Sequence, residues 1–351
     1  MTNLFRFNPF LIIRKNSKHN GLLFENPLDK TAFILNDVDI TKLFEISNEW
    51  TELHKLEINI AKYLNLNREE AKLLCKNITV KKSPEFERLE TAYSLWDSYN
   101  WKEPFIYLLA TKDYPFYDRV ENYDKTDYTT MKRYSEKSDV PDIYKIYQNS
   151  KIKLPHPTIS DTSIEDALEA GSYAKGQADL KSISNILFYT FGKTGIIRFP
   201  VLGESLLKTS PSGGSRHPTE AYVYYNNEKL NGLFHYSVKE HLLECIKGGD
   251  HTNLLKKLLF EFDEKYLNFD PKAIIFITSL FERNMWRYRE PRTFRSVFFD
   301  MGHVIETLSL LCKSYGLKAH ISYGFNSKKL EKFIGLDGFK EGVFYCVIIG
   351  T

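Results

Sequence analysis

One run near the C-terminal end restricts the fold of this chain more than any other. Val297–Tyr315 places Val297, Met301, Val304, Leu308 and Leu311 on one face, with Gly316 after it, and this spacing predicts a long amphipathic helix. It lies between two strand-length apolar runs, Ala273–Thr278 and Val343–Ile349. Upstream, Ser182–Phe191 reads as a helix closed by Gly192. Ala221–Tyr225 reads as a strand with Leu233–Tyr236 as its hairpin partner, and Leu254–Phe262 as a helix. These elements make one domain, from about residue 159 to 351.

The chain has 351 residues, enough for two domains at roughly 100–200 residues each. Residues 1–90 form the first. Phe10–Ile13 is a β-type run, Asn20-Gly21 a hairpin signal, and Leu22–Phe24 the returning strand. Helical patterns follow at Ile40–Ile46, Ile58–Leu64 and Arg68–Cys75, the last with Asn67 as N-cap and Glu70 at capping-box spacing. Strands followed by short helices read as a small winged-helix-like unit, against the plainer alternative of an ordinary α+β subdomain. Residues 91–158 are a spacer. Its first part holds Trp96, Trp101, Phe105 and Tyr107 at helical spacing, which suggests packing; Tyr123–Pro157 is polar and proline-containing and reads as a surface connection.

Composition excludes several classes of function. With 48 Lys and Arg against 45 Asp and Glu, the net charge of +3 is too small to imply a nucleic-acid partner. The apolar runs are too short to cross a bilayer, and no signal peptide is legible at Met1–Lys15. Cys75, Cys245, Cys312 and Cys346 form no CxxC pair, which fits a reducing cytoplasm without disulfides or zinc. Gly192-Lys193-Thr194 fails as a P-loop because Leu187 stands where a glycine is required, and no GxGxxG follows a strand. Asp300, His303 and Glu306 share a helix face but lack a fourth clustered ligand, so no metal is expected. Ser212 has no GxSxG context, which argues against a serine hydrolase.

Two segments carry the chemistry. In Ser210–Pro218, small residues let backbone N–H groups approach a flat or anionic ligand, and Arg216 adds a forked donor. Arg283–Arg295 holds five arginines interleaved with Trp286, Tyr288 and Phe294 just before the long helix. That reads either as a solvated basic turn or as an anion-binding lip with stacking partners, and the helix N-terminus favours the lip.

Together, SPSGGSRHPTEAYVYY, RNMWRYREPRTFRSVFFDMGHVIETLSLLCKSYGL and the closing YCVIIG resemble the SagB-type dehydrogenases of the FMN-dependent nitroreductase superfamily, enzymes that modify ribosomally made peptides. The resemblance is clearest over residues 180–351 and weaker over 1–118. It implies an α+β, nitroreductase-like flavoprotein: a dimeric, antiparallel-rich sheet packed with helices, preceded by a peptide-recognition unit that docks the leader of a precursor peptide. FMN would sit at a homodimer interface, held by Ser212, Gly213, Gly214, Ser215 and Arg216, with Arg292 or Arg295 helping. Other peptide-modifying enzymes are expected partners.

The chain departs from the family pattern twice. The usual Arg-x-Ser-x-Arg opening reads Gly171-Ser172-Tyr173-Ala174-Lys175, leaving Ser172 and Lys175 to hold the cofactor. Azoline-oxidising members carry Lys-Tyr where this chain has Arg287-Tyr288. A lysine can be tuned to act as a base, whereas an arginine stays protonated and stabilises negative charge instead. The pair therefore favours reduction of dehydroamino acids, dehydroalanine to D-alanine in a lanthipeptide precursor, with NAD(P)H as electron donor. The alternatives are azoline-to-azole dehydrogenation and, from another class, a flavin-free peptide-binding scaffold.

Overall fold

The structure, a computed structural model, describes residues 3–16, 21–36, 49–114, 122–159, 162–169, 176–227, 230–263 and 265–351. The expected helix Ile40–Ile46, Asn20 of the hairpin signal, and the segment holding Ser172 and Lys175 lie outside them. The chain divides into two units, Met1–Tyr117 and Asp118–Thr351.

In the first unit, β1 (Leu4–Phe7) pairs with β5 (Thr51–Glu52) and β6 (Thr79–Lys81), while β2 (Ile12–Lys15), β3 (Gly21–Asn26) and β4 (Thr31–Asn36) form an antiparallel meander. Helices α1 (Leu53–Leu64) and α2 (Arg68–Ile78) bury Leu56, Ile60, Leu74 and Ile78 against Phe24. The capping box forms as the sequence predicts: Glu70 N–H donates to Asn67 Oδ1 at 3.0 Å, and Asn67 N–H to Glu70 Oε2 at 2.9 Å. α3 (Pro84–Ser98) and α4 (Lys102–Thr111) follow. Trp96 meets Trp101 and Phe105 edge-to-face at 5.8 and 5.6 Å, so these aromatics pack. Phe10 belongs to no strand; it is buried against Phe86, Tyr93 and Phe105.

The second unit is built on a seven-stranded antiparallel sheet. Chain order runs α5 (Tyr123–Ser135), β7 (Lys151–Lys153), α6 (Ile164–Glu169), α7 (Leu180–Phe191), then the hairpin β8 (Lys193–Phe199) and β9 (Gly203–Lys208). Next come β10 (Thr219–Asn226), β11 (Asn231–Ser237), β12 (Leu242–Gly248), α8 (Thr252–Leu258), β13 (Pro271–Leu280) and α9 (Glu282–Met285). The chain closes with α10 (Phe294–Ser314), β14 (Lys318–Ser322), α11 (Ser327–Ile334) and β15 (Glu341–Gly350). The strand order is β14-β15-β13-β10-β11-β12-β7.

Side-chain alternation makes two cores. Ala221, Val223 and Tyr225 of β10 face α7 and α10, which bring Ile183, Ile186, Met301 and Leu308. Tyr222 and Tyr224 face the other way, towards Leu255, Leu258, Leu330 and Ile334 of α8 and α11. β10 and β13 are thus covered on both faces, which is why their sequences are almost continuously apolar. α8 is shorter than the predicted Leu254–Phe262 because Leu259 leaves the helix to bridge Phe325. Among the described residues no helix is long and apolar enough to cross a membrane.

Residues 123–157 do more than connect. They contain α5, and β7 extends the main sheet by pairing Lys151–Lys153 with Leu242–Glu244. Between them, Lys145 forms an ion pair with buried Glu341 and donates to Tyr222 Oη at 2.6 Å, while Tyr147 Oη lies 2.9 Å from the same hydroxyl. A polar composition concealed this because the anchors are charged and phenolic groups whose partners lie far along the chain.

Met301 is fully buried between α10 and the sheet. Met301→Ala is expected to lower stability by about 2–5 kcal/mol, whereas Glu306→Ala on the exposed face should change it by less than about 0.5 kcal/mol; urea unfolding of both variants checks this.

Candidate active site

The Ser210–Pro218 turn links β9 to β10 and contains a 3₁₀ turn at Gly213–Ser215. Gly214 has φ +61°, and a Cβ there would lie 2.1 Å from the Tyr288 hydroxyl oxygen, so a side chain at 214 would both strain the backbone and displace the Tyr288 phenol. Ser215 and His217 also take left-handed backbone, at φ 52° and 46°, a conformation that costs about 1–2 kcal/mol for an ordinary residue. Something must hold the turn in this shape.

Asp300 does so from the apolar face of α10, where it is buried. Its Oδ2 accepts from Ser212 Oγ at 2.6 Å and its Oδ1 from Gly213 N–H at 3.0 Å. Ser212 Oγ in turn accepts from His217 N–H at 2.9 Å. Burial pushes the Asp300 carboxyl above its ordinary range, and the two hydrogen bonds restrain that rise. Arg216 folds back over the turn, donating to Gly214 O and to Ser205 Oγ, both at 2.8 Å.

Behind the turn lies a buried ionic chain. Arg283 is 5% exposed and donates from Nη1 to His217 O at 2.8 Å and to Glu220 Oε1 at 2.6 Å, and from Nε to Asp142 O at 3.0 Å. Glu220 continues to His235 Nε2 at 3.1 Å, and His235 Nδ1 to Glu244 at 2.9 Å. Burial alone would raise the Glu220 pKa, but Arg283 and His235 hold it well below the carboxylate range. Burial alone would lower that of His235, but its two carboxylates raise it. His217 is pushed down to about 3 by burial and by the nearby Lys208 charge.

The arginine-rich segment follows β13. Arg287 stacks 4.8 Å over the Tyr288 ring and donates from Nη2 to Asp127 Oδ1 at 2.7 Å. Glu290 caps the 3₁₀ turn Pro291–Thr293 by accepting from Arg292 N–H at 2.6 Å. Arg292 stands on that turn and Arg295 on the first turn of α10, both half-buried; Ser296, the residue after Arg295, has its Cβ 3.5 Å from the Cβ position of Gly213. An apolar cavity of about 600 Å³ opens beside them, its walls including Phe281, Met285, Tyr288, Phe294, Val297 and Phe339.

Of the residues singled out in the sequence, the structure brings together Ser212, Gly213, Gly214, Ser215 and Arg216 with Tyr288 and, through Tyr288, Arg287. Asp300 and Asp127 were missed. A carboxylate three residues after Val297 on an apolar helix face was a legible signal for Asp300. Asp127, in a polar stretch far from the site in sequence, had none. His303, grouped with Asp300 by spacing, packs its ring 4.5 Å from Phe299 instead.

The sequence profile of the nitroreductase family matches residues 154–351, more than half of the chain, and the chain belongs to that family. Its fold is the nitroreductase-like α+β fold, with an antiparallel sheet between helices and a separate β-rich part at the N-terminus. Trifolitoxin-processing protein TfxB of Rhizobium leguminosarum bv. trifolii is 30% identical over 239 residues, covering 64% of this chain and 63% of TfxB. TfxF of the same organism is 28% identical over 134 residues, covering 38% of this chain and 43% of TfxF. The chain therefore spans less than two thirds of either relative. A chain in the structure of the E. coli microcin synthetase McbBCD complex with truncated pro-MccB17 superposes with a TM-score of 0.43 at 16% identity, covering 68% of this chain and 98% of that one.

Two outcomes are expected here. Asp300→Ala leaves the Ser212 hydroxyl and the Gly213 N–H without their acceptor and should lower stability by about 1–3 kcal/mol, read as a thermal-unfolding shift. His217 stays neutral in the fold down to about 3, while the unfolded chain binds its proton near 6.5, so its stabilising contribution is complete above pH 6.5 and falls as the pH drops below it. His217→Gln should therefore lose less stability than the parent between about pH 7 and about pH 5, measured by urea midpoints.

Proposed function

We propose that this chain is an FMN-dependent oxidoreductase that tailors a ribosomally made peptide, reducing dehydroamino acids, dehydroalanine to D-alanine in a lanthipeptide precursor, with NAD(P)H as electron donor. The observation that carries this reading is the place of Tyr288. Its hydroxyl lies against Gly214 of the turn, on the wall of the apolar cavity, with the Arg287 guanidinium over its ring.

The residues present fit a flat, anionic cofactor. Gly213 and Gly214 present no side chain and are exposed, and Arg216 borders them. Arg292 and Arg295 add cationic partners for a phosphate, a role also assigned to Ser172 and Lys175. When bound, FMN supplies hydride chemistry.

Reduction of a dehydroalanine amide adds a hydride at Cβ and a proton at Cα. Arg287, a permanent cation, stabilises the negative charge that develops on the amide oxygen between those additions. Tyr288 donates its hydroxyl proton to the α-carbon. Two relatives named for processing trifolitoxin support a peptide as substrate.

Residues 1–90 are assigned to leader docking, and the meander β2–β3–β4 offers sheet edges for an added strand. Residues 159–351, assigned to the flavin domain, are joined there by α5 and β7 from the stretch read in the sequence as the spacer 91–158. A homodimer would cover Phe298 and Phe299 of α10, 43% and 68% exposed, beside Gly302, where an added Cβ meets nothing within 4 Å.

Anaerobic titration of the FMN-reconstituted protein with NADPH, then NADH, is expected to bleach the visible flavin bands. Bands that persist with both donors would overturn the reductase, and no retained flavin would overturn the cofactor assignment. Tyr288→Phe should lower kcat by roughly 100-fold or more, and full turnover in that variant would remove its proton-donor role. Arg287→Lys that gains azoline oxidation would show that residue 287 sets the direction of the reaction.

A further inference from the structure

The described part of the second unit that precedes the matched region, residues 122–153, grips the segment that carries Arg287 and Tyr288. Four side chains of that segment, Arg283, Trp286, Arg287 and Arg289, have partners there. Arg283 donates to Asp142 O at 3.0 Å, and Trp286 Nε1 to Ser138 O at 3.3 Å. Arg287 donates to Asp127 Oδ1 at 2.7 Å, and the Arg289 guanidinium lies 3.7 Å from the centre of the Tyr134 ring. Tyr134 also meets Trp286 edge-to-face at 6.2 Å.

Within this clamp the Asp127–Arg287 pair differs from an ordinary surface ion pair. The two side chains are 29% and 15% exposed, so water screens them only in part. The same guanidinium stacks over the Tyr288 ring. A free arginine side chain samples many rotamers; one held at its far end by a carboxylate and along its plane by a phenol ring is restricted to few. A guanidinium has five N–H donors, so one donated to Asp127 leaves others for a substrate oxygen.

We infer that Asp127 is a positioning residue of the active site: it holds the Arg287 guanidinium over Tyr288, so that helix α5, outside the matched nitroreductase region, completes the catalytic pair. This rests on the function proposed above for Arg287 and Tyr288. Asp127 touches no reacting atom; it acts through Arg287. It also gives a physical reason for arginine at this position. A planar fork can be anchored by one edge and still present another, whereas a lysine ammonium held by Asp127 would have its single charge centre drawn to the anchor.

The test is a double-mutant cycle on the full FMN-loaded chain, with N-acetyldehydroalanine methylamide and NADPH as substrates. Asp127→Asn is expected to lower kcat about tenfold, with KM and flavin occupancy unchanged, and Asp127→Glu to recover part of the loss. In an Arg287→Ala background the same Asp127→Asn change should have no further effect on kcat. An undiminished effect in that background, or a parallel loss of flavin and thermal stability, would overturn the positioning role. Labelling with phenylglyoxal, mapped by mass spectrometry, reads the pair without turnover: Arg287 should react several-fold faster in Asp127→Asn than in the parent. If the parent turns over no dehydroalanine substrate, the proposed function fails, and equal labelling of parent and variant would then overturn the pairing itself.

Discussion

The Asp300 carboxylate, accepting at once from Ser212 Oγ and Gly213 N–H, is the interaction on which the site depends. It joins α10, the longest helix among the described residues, to a turn with three constraints: a glycine packed against Tyr288 and two non-glycine residues in left-handed backbone. Such a turn does not hold its shape from local preferences. A buried carboxylate on a helix that is itself anchored by Val297, Met301 and Val304 transmits the rigidity of the core to the turn. The core thereby becomes part of the site.

Behind that contact, charge is buried in an ordered way. Arg283 holds the His217 carbonyl and Glu220, Glu220 reaches His235, and His235 reaches Glu244. A second pair, Lys145 with Glu341, draws the segment before β7 onto the same face of the sheet. Burying charges is unfavourable unless each is matched, and here matched groups tie strands, turn and strap into one arrangement. The apolar cores set the sheet between its helices; the ionic chains set where the turn and the arginine segment stand on it.

Much of the second unit was legible because periodicity and burial coincide. The spacing of Val297, Met301, Val304 and Leu308 predicted a helix, and the structure places it at Phe294–Ser314. The hairpin of Ala221–Tyr225 with Leu233–Tyr236 appears with Tyr222 opposite His235. Asn67 and Glu70 specified their capping box because both partners lie within one helical turn. Distant partners leave no local signal. Tyr123–Pro157 contains a helix and a sheet strand whose reasons, Asp127 with Arg287 and Lys145 with Glu341, join positions remote in the sequence.

The sequence by itself determined the long helix, the hairpin of β10 with β11, the apolar strands β13 and β15, and the residue types of the turn and arginine lip, because local sterics and hydrophobic spacing act over a few residues. Only the tertiary structure decided that Asp300 faces the turn, that Tyr288 lies over Gly214, and that Asp127 reaches Arg287. A hydrogen bond or ion pair depends on distances of about 3 Å between side chains. Those distances arise only when the fold brings the turn between β9 and β10 and the segment after β13 to the start of α10.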